Sequence, residues 1–296
     1  MADVDLINLA AAKTGLGRKF ISKDEKLSLL IGQLAVALKD ELSVLKGGTV
    51  LNRVYLPKVA RFSEDVDIDL ISRLPLSGRI KKVKKAMELV RGFEVSEPRM
   101  LHRTMRFDCG YTNEFGERDR IRAEFYLSFT RLIAAKTPVQ VATSSTFLPS
   151  SPSVFRVYSL EDMLARKLAA LHQRVEGKDM YDVFHMLDLE FDGKALKRAI
   201  RAMLGFLKVR LGPNEFLKEL TEKIETAEGN WRYIRDSTNH YIPVDLRPSW
   251  DTFIRSLGFK VESLGFRILG DNWSRARHAG RTAGRGRQKS PGRQSK

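Results

Sequence analysis

Between Asp65 and Ile71 the chain alternates strictly, with Asp65, Asp67 and Asp69 interleaved by Val66, Ile68 and Leu70. A period of two fits only a β-strand, in which successive side chains point to opposite faces. One face must then be buried in an apolar core while the other carries three carboxylates in a row. Two more alternating runs follow. Met105, Phe107, Cys109 and Tyr111 share one face, and Ile121, Ala123, Phe125, Leu127 and Phe129 share another, opposed by Arg122, Glu124, Tyr126 and Ser128. Residues 112–119, with Gly116, read as the turn between them. A sheet with one apolar face needs helices to cover it.

Those helices are visible as 3.6-residue periodicity. Ser22-Lys23-Asp24-Glu25 has the pattern of a capping box, followed by Leu27, Leu30, Ile31, Leu34, Leu38 and Leu42 at helical spacing. Residues 79–91 form a basic helical stretch with Ile80, Val83, Met87 and Val90 facing inward. After residues 142–153, a Ser-, Thr- and Pro-rich stretch that reads as an exposed connection, the pattern turns helical. Ser159 with Asp162 caps a helix lined by Leu160, Leu164, Leu168 and Leu171 and ended by Gly177. A second helix runs from Asp179 to Leu189, and two or three more segments extend to about residue 270. The expected class is α/β of the α+β kind: a small mixed sheet with flanking helices, then a helical domain. The expected divisions are an N-terminal extension over 1–21, a core over 22–150, a helical C-terminal domain over 151–271 that completes the site, and a basic tail over 272–296, disordered until it meets a partner.

Charge narrows the partners. Lys and Arg number 52 against 36 Asp and Glu, a net +16 that attracts phosphate-bearing molecules. Half of that excess is in the tail: Arg275, Arg277, Arg281, Arg285, Arg287, Lys289, Arg293 and Lys296 follow Asp271 with no further carboxylate side chain. Cys109 is the only cysteine, which excludes an intrachain disulfide and a four-cysteine zinc cage. The start of the chain has no apolar run like a signal-peptide core, and no stretch of about 18 apolar residues occurs, so a cytoplasmic protein with no membrane partner is expected. The five histidines show no paired metal spacing, and Cys109, on the apolar face of its strand, reads as a core residue.

Chemistry is concentrated in two segments. Val44-Leu45 has the character of a short buried strand running into Lys46-Gly47-Gly48-Thr49, where paired glycines permit a tight bend and glycine amides with a threonine hydroxyl can bind phosphate oxygens. A helix is expected after it, through Tyr55. Fifteen residues on comes Arg61-Phe62-Ser63-Glu64-Asp65-Val66-Asp67. Carboxylates two apart on a strand point the same way and can chelate Mg²⁺, which prefers oxygen ligands and bridges protein carboxylates to substrate phosphates. From the residues alone, Asp65/Asp67 and Asp67/Asp69 are both open as the metal pair. Further along, Lys167 and Arg174 are seven apart on one helix and share a face, as do Asp179 and Asp182 on the next.

The KGGT and RFSEDVD segments together resemble the hallmark of the AbiEii-like toxins of the nucleotidyltransferase superfamily, and the stretch from Ser159 to Met186 is similar to that family's later segment ending in an RDxYD motif. The resemblance covers about residues 20–190. It implies Mg²⁺, with Mn²⁺ as a substitute, a nucleoside triphosphate donor, RNA and in several members tRNA as acceptor, and a cognate antitoxin. By that resemblance Lys46, Gly48, Thr49, Arg61 and Ser63 contact the triphosphate, and Asp65 and Asp67 hold metal and are catalytic. Asp69 is a spare carboxylate, and Glu124 is the candidate third ligand. Its alternative is a cross-strand ion pair with Arg106 or Arg122. Lys167 and Asp182 are carried over as catalytic, and Arg174, Lys178 and Asp179 as nucleotide-binding. Lys178 stands where the motif has arginine, which keeps the charge but loses the two-pronged planar geometry. The expected reaction is transfer of a nucleotidyl group with release of pyrophosphate, at the tRNA 3′ end. Competing readings are a non-catalytic basic nucleic-acid-binding protein, which would need neither metal nor triphosphate, and a nucleotidyltransferase acting on a protein or small molecule.

Overall fold

The computed structural model describes residues 3–270 and Trp273. The chain begins with α1 (Val4–Thr14), α2 (Arg18–Ala37), β1 (Leu42–Lys46) and α3 (Gly47–Val50), which continues as a π-helical turn over Leu51–Tyr55. Then come β2 (Asp65–Ile71), α4 (Leu76–Glu88), β3 (Glu94–Val95), β4 (Arg99–Leu101), β5 (Thr104–Thr112), β6 (Arg118–Tyr126), β7 (Val139–Thr143) and β8 (Ser153–Val157). The remainder is helical: α5 (Leu160–Arg174), α6 (Gly177–Met186), α7 (Gly193–Phe206), α8 (Pro213–Glu228), α9 (Trp231–Thr238) and α10 (Trp250–Leu269), with short 3-10 turns at Asn239–Tyr241 and Val244–Leu246. No described helix is long and apolar enough to cross a membrane.

The strands form one mixed sheet in the order β3-β5-β6-β2-β1-β8-β7, with β4 also on β5. β2 sits near its middle, antiparallel to β1, which leads into the glycine bend, and parallel to β6, which carries Arg122 and Glu124. The alternation in β5 and β6 is borne out residue by residue: Met105, Phe107, Cys109, Ile121, Ala123 and Phe125 are buried, while Arg106, Arg122 and Glu124 look out of the other face. Burial pushes the Cys109 thiol up to about 12, as expected of an inert core residue. On α4, Val83 and Met87 are buried as its period requires, and Val90, just past its end, is buried too.

Four sequence expectations change. The Ser22 to Glu25 segment does not start a helix, because α2 already begins at Arg18. Its polar residues are used in tertiary contacts instead. Ser22 donates to Glu114 Oε2 at 2.5 Å, and the Asp24 carboxylate accepts from Arg53 at 2.7 Å, from the Thr146 amide at 2.7 Å and from the Ser145 hydroxyl. Residues 1–21 are no appendage, since Ile7, Leu16 and Ile21 are buried in the common core. The division at 150 falls inside the β7–β8 hairpin, whose second strand joins β1 in parallel through Leu45 and Val157. That strand is too short for its alternation to be read in sequence. Finally, α5 ends not at Gly177 but at Val175, which takes the left-handed conformation (φ 47). Gly177 opens α6, where a Cβ would lie 2.2 Å from Thr238 Oγ1, so its lack of a side chain serves packing against α9.

Ser159 caps α5 as expected, accepting from the Asp162 amide at 3.2 Å, while the Asp162 carboxylate ties down the Ala135 and Lys136 amides. Four further helices follow α6 where two or three segments were expected. The buried apolar residues form one continuous cluster, from Ile7 in α1 to Trp273, so sheet and helices share a single core. Trp273, assigned from sequence to the tail, is buried. The rest of the tail lies outside the described residues.

Candidate active site

The glycine bend is shaped by close approach. Gly47 has φ +80, and a Cβ there would come within 2.3 Å of Asp67 Oδ2. At Gly48 a Cβ would meet Ser63 Oγ at 2.8 Å and Arg61 Nη2 at 3.0 Å. Only glycine lets this backbone lie directly on the carboxylate and the basic residue. Asn52 fixes the arrangement: its Nδ2 donates to the Gly48 carbonyl at 2.7 Å, and its Oδ1 accepts from the Arg61 amide at 2.8 Å. Thr49 is buried and its hydroxyl donates to the Asp65 carbonyl at 2.6 Å, 3.1 Å from Ser63 Oγ. The structure therefore uses Thr49 as an internal brace between the bend and β2, and its side chain does not line the cavity.

The register then sets the carboxylates side by side. Asp67 lies opposite Lys46 on β1 and opposite Glu124 on β6, and Asp65 lies opposite Arg122. Asp65, Asp67, Glu124, Gly47, Gly48 and Ser63 line one wall of a cavity of about 340 Å³. Asp67 is pushed up to about 6, first by burial and then by Asp65, Glu124 and Asp69 against the opposing pull of Lys46. Asp65 is also raised, by burial, with Arg122 working against it. These are acids crowded beyond what their neighbours neutralise.

Asp69 is different. It is fully buried, takes Lys46 Nζ at 2.5 Å and the Tyr158 hydroxyl at 2.7 Å, has Arg166 at 3.9 Å, and does not line the cavity. Lys46 is turned to it as well, with its ammonium 5.2 Å from the Tyr126 ring, and is likewise absent from the cavity wall. Both residues brace β1 against β2: Lys46 does not reach the cavity where a phosphate contact was expected of it, and Asp69, the spare carboxylate, does not join Asp67 at the cavity wall.

The opposite wall comes from the helices. Arg61 makes a two-pronged pair with Asp182, Nε to Oδ1 at 2.8 Å and Nη2 to Oδ2 at 2.6 Å. Lys167 bridges Asp182 at 2.6 Å and Asp179 at 2.9 Å, and Arg174 closes the chain on Asp179 at 2.7 Å. Burial alone would raise Asp179, but Lys167 and Arg174 outweigh it and hold the carboxyl at about 2. Asp182 is fully buried behind this network and does not reach the cavity, so it positions Arg61 and Lys167 and does not itself face a substrate. Lys167, Asp179, Arg174 and Lys178 do line the cavity. Lys178 stands 4.3 Å from the Tyr241 ring, and burial together with the nearby Arg61 lowers its ammonium below the usual lysine value.

Metal fit can be judged from the donors. Among the described residues no group of three or more His, Cys, Asp or Glu is gathered to hold an ion. Glu124 is paired with Arg106 at 2.6 Å, the cross-strand ion pair named as its alternative. Asp65 and Asp67 nevertheless offer hard oxygen donors at the cavity wall. Mg²⁺ is commonly bound by one or two carboxylates, with waters and substrate phosphates completing its shell. The residues present fit that mode.

Sequence reasoning missed several wall residues. Tyr241 donates from its hydroxyl to Glu64 at 2.9 Å, and its carbonyl accepts from the Phe62 amide at 2.7 Å. It arrives on a 3-10 turn that no periodicity marks. Arg106, Arg122, Glu64 and Glu176 also line the cavity. For the two arginines the signal was available, since they share strand-face parity with Glu124 and Asp65. A larger cleft of about 1060 Å³ adjoins the cavity and shares Arg174, Glu176, Lys178 and Tyr241 with it.

A protein-family model described as "Nucleotidyl transferase AbiEii toxin, Type IV TA system" matches residues 28–267. The fold is similar to that of JHP933 from Helicobacter pylori (TM-score 0.54, 13% identity, 91% of this chain and 99% of that chain). It is also similar to MenT4, a nucleotidyltransferase toxin from Mycobacterium tuberculosis H37Rv (TM-score 0.56, 21% identity, 94% and 97%). No curated protein matches.

Proposed function

The chain belongs to the AbiEii nucleotidyltransferase toxin family, and from that premise we propose that it transfers a nucleotidyl group from a nucleoside triphosphate to RNA, at the 3′ end of a tRNA. On this reading Mg²⁺ is the cofactor, with Mn²⁺ able to replace it, the work is done in the cytoplasm, and a separately encoded antitoxin holds it in check. The observation that carries the proposal is the pairing of two unlike walls across one small cavity: the crowded carboxylates Asp65 and Asp67, beside Glu124, and the cations Arg174, Lys178 and Lys167.

Asp65 and Asp67 would hold the metal, with Glu124 joining them if it releases Arg106. When bound, Mg²⁺ would supply charge neutralisation at the α-phosphate and the leaving oxygen. The chain's own groups do the rest. Gly48 and Ser63, side by side on the cavity wall at the bend, would meet phosphate oxygens. Arg174, half-exposed at the cavity edge, and Lys178 meet the β- and γ-phosphates, where negative charge grows as pyrophosphate departs. Lys167, Arg61 and Asp182 hold that wall rigid. The acceptor hydroxyl oxygen forms a bond to the α-phosphorus as the bond to the β-phosphate bridging oxygen breaks. The hydroxyl proton passes to a carboxylate oxygen of the acidic wall or to water.

The test is incubation with total tRNA, each labelled triphosphate in turn and Mg²⁺. Label should enter RNA, stop on chelation with EDTA, and return with Mg²⁺ or Mn²⁺. An Asp65→Asn/Asp67→Asn double variant should melt normally and yield no product. Normal incorporation by that folded variant would sink the assignment.

A further inference from the structure

We propose that the outward face of the β5–β6 hairpin is the docking surface for the phosphate chain of the RNA acceptor, with Arg118 and Arg120 as its entry contacts. The inference rests on the nucleotidyl-transfer reading above and adds to it the side from which the acceptor arrives.

Arg118, Arg120 and Arg122 follow one another on the same face of β6, and the next residue of that parity is Glu124 in the cavity. Side chains two apart on a strand repeat every ~6.7 Å, so these guanidinium groups form a straight cationic track that ends at the acidic wall. The neighbouring strands extend it. Arg106 on β5 is opposite Glu124, and Arg99 on β4 is opposite Arg106, a like-charge cross-strand pair that costs stability. Glu94 and Asp108 are the acids that pair with this track outside the cavity. The outermost positions are open: the Arg118 side chain is 80% exposed and that of Arg120 is 65% exposed.

Geometry gives the track a direction. In-line displacement requires the acceptor hydroxyl to approach the α-phosphorus from the side opposite the departing pyrophosphate. The cations assigned to the pyrophosphate, Arg174 and Lys178, belong to the helical wall. The acceptor therefore comes over the sheet wall, along β6. Exposed arginines spaced along a strand suit a phosphate backbone, contacted independently of sequence.

The test compares Arg118→Gln/Arg120→Gln with Lys81→Gln/Lys84→Gln, an equal charge change on exposed positions of α4. Binding of a fluorescein-labelled tRNA transcript to the full chain is followed by anisotropy across a salt series, without metal or triphosphate. Loss of two phosphate contacts should weaken binding on the order of 10-fold or more at 0.15 M salt and flatten the log–log salt slope by between one and two. In the transfer assay the KM for RNA should rise while kcat and the KM for triphosphate hold. The α4 variant should match the parent in both assays. The proposal is overturned if the β6 variant binds like the parent, if the α4 variant loses as much, or if poly-glutamate competes with the RNA at equal charge, which marks an acidic protein as the occupant. A parent protein that binds RNA through these arginines yet never incorporates label sinks the transfer reading and leaves the surface standing.

Discussion

The two walls of the cavity treat buried charge in opposite ways. On the helical wall the buried charges are tied into one network: Arg61 with Asp182, Lys167 between Asp182 and Asp179, Arg174 on Asp179. On the sheet wall, Asp65 and Asp67 sit beside Glu124 with both carboxyls raised, first by burial and then by the neighbouring acids. A satisfied network costs little to keep and much to break, whereas crowded like charges cost stability until something cationic arrives. The contrast separates scaffold from reaction centre within one 340 Å³ space.

The sharpest way to break the comparison is Asp67→Asn. It should reduce single-turnover incorporation on the order of 10³-fold or more, as loss of several kcal/mol of metal-assisted stabilisation implies. Its melting temperature should hold or rise, because a destabilised carboxylate is removed. A marked loss of stability would place Asp67 with the scaffold. Asp182→Ala should do the reverse, costing about 3–5 kcal/mol in denaturant unfolding by leaving Arg61 buried without its carboxylate partner and taking one of the two from Lys167. A cost under about 1 kcal/mol would show the network to be dispensable.

Acid should act on the helical wall next. Asp179 is held at about 2 in the folded chain, below an unfolded value near ~3.9. A depressed value means that its contribution, on the order of 2 kcal/mol, is fully present above the unfolded pKa and is lost as pH falls through the folded one. Unfolding free energy measured between pH 5 and pH 2 should decline, and Asp179→Asn should remove that part of the slope. Smaller still is Gly47→Ala. The left-handed backbone costs about 1–2 kcal/mol with a side chain, and the added Cβ must displace the Asp67 carboxylate. Incorporation should therefore fall further than stability. Tyr241→Phe should cost about 1 kcal/mol or less through its bond to Glu64, read by thermal melting.

Much of the frame was legible in local pattern. β2 runs from Asp65 to Ile71 as its alternation predicts, and β5 and β6 bury the residues their parity requires. The glycine bend stands against the acidic strand, as the spacing of the two motifs suggested. What misled was chemistry that looks the same in two contexts. Ser22 and Asp24 have the composition of a helix cap, yet they bind Glu114, Arg53 and the loop after β7, contacts 29 to 122 residues away in sequence. Lys46 and Asp69 carry the right functional groups for phosphate and metal, yet they pair with each other behind the wall.

By itself, then, the sequence determined where strands and helices form and which side chains share a face, because those follow from periods of two and 3.6 residues acting over short range. Tertiary structure alone decided which of the charged groups are neutralised. Asp65, Asp67, Asp69, Asp179 and Asp182 are the same residue type, but Asp69, Asp179 and Asp182 are held by cations within 3 Å, Asp182 by Arg61 from 121 residues away, whereas Asp65 has only Arg122 at 3.9 Å and Asp67 stays raised by burial and its acidic neighbours. Coulombic interaction depends on distance and burial, and no local pattern encodes either for groups separated by a hundred residues of chain.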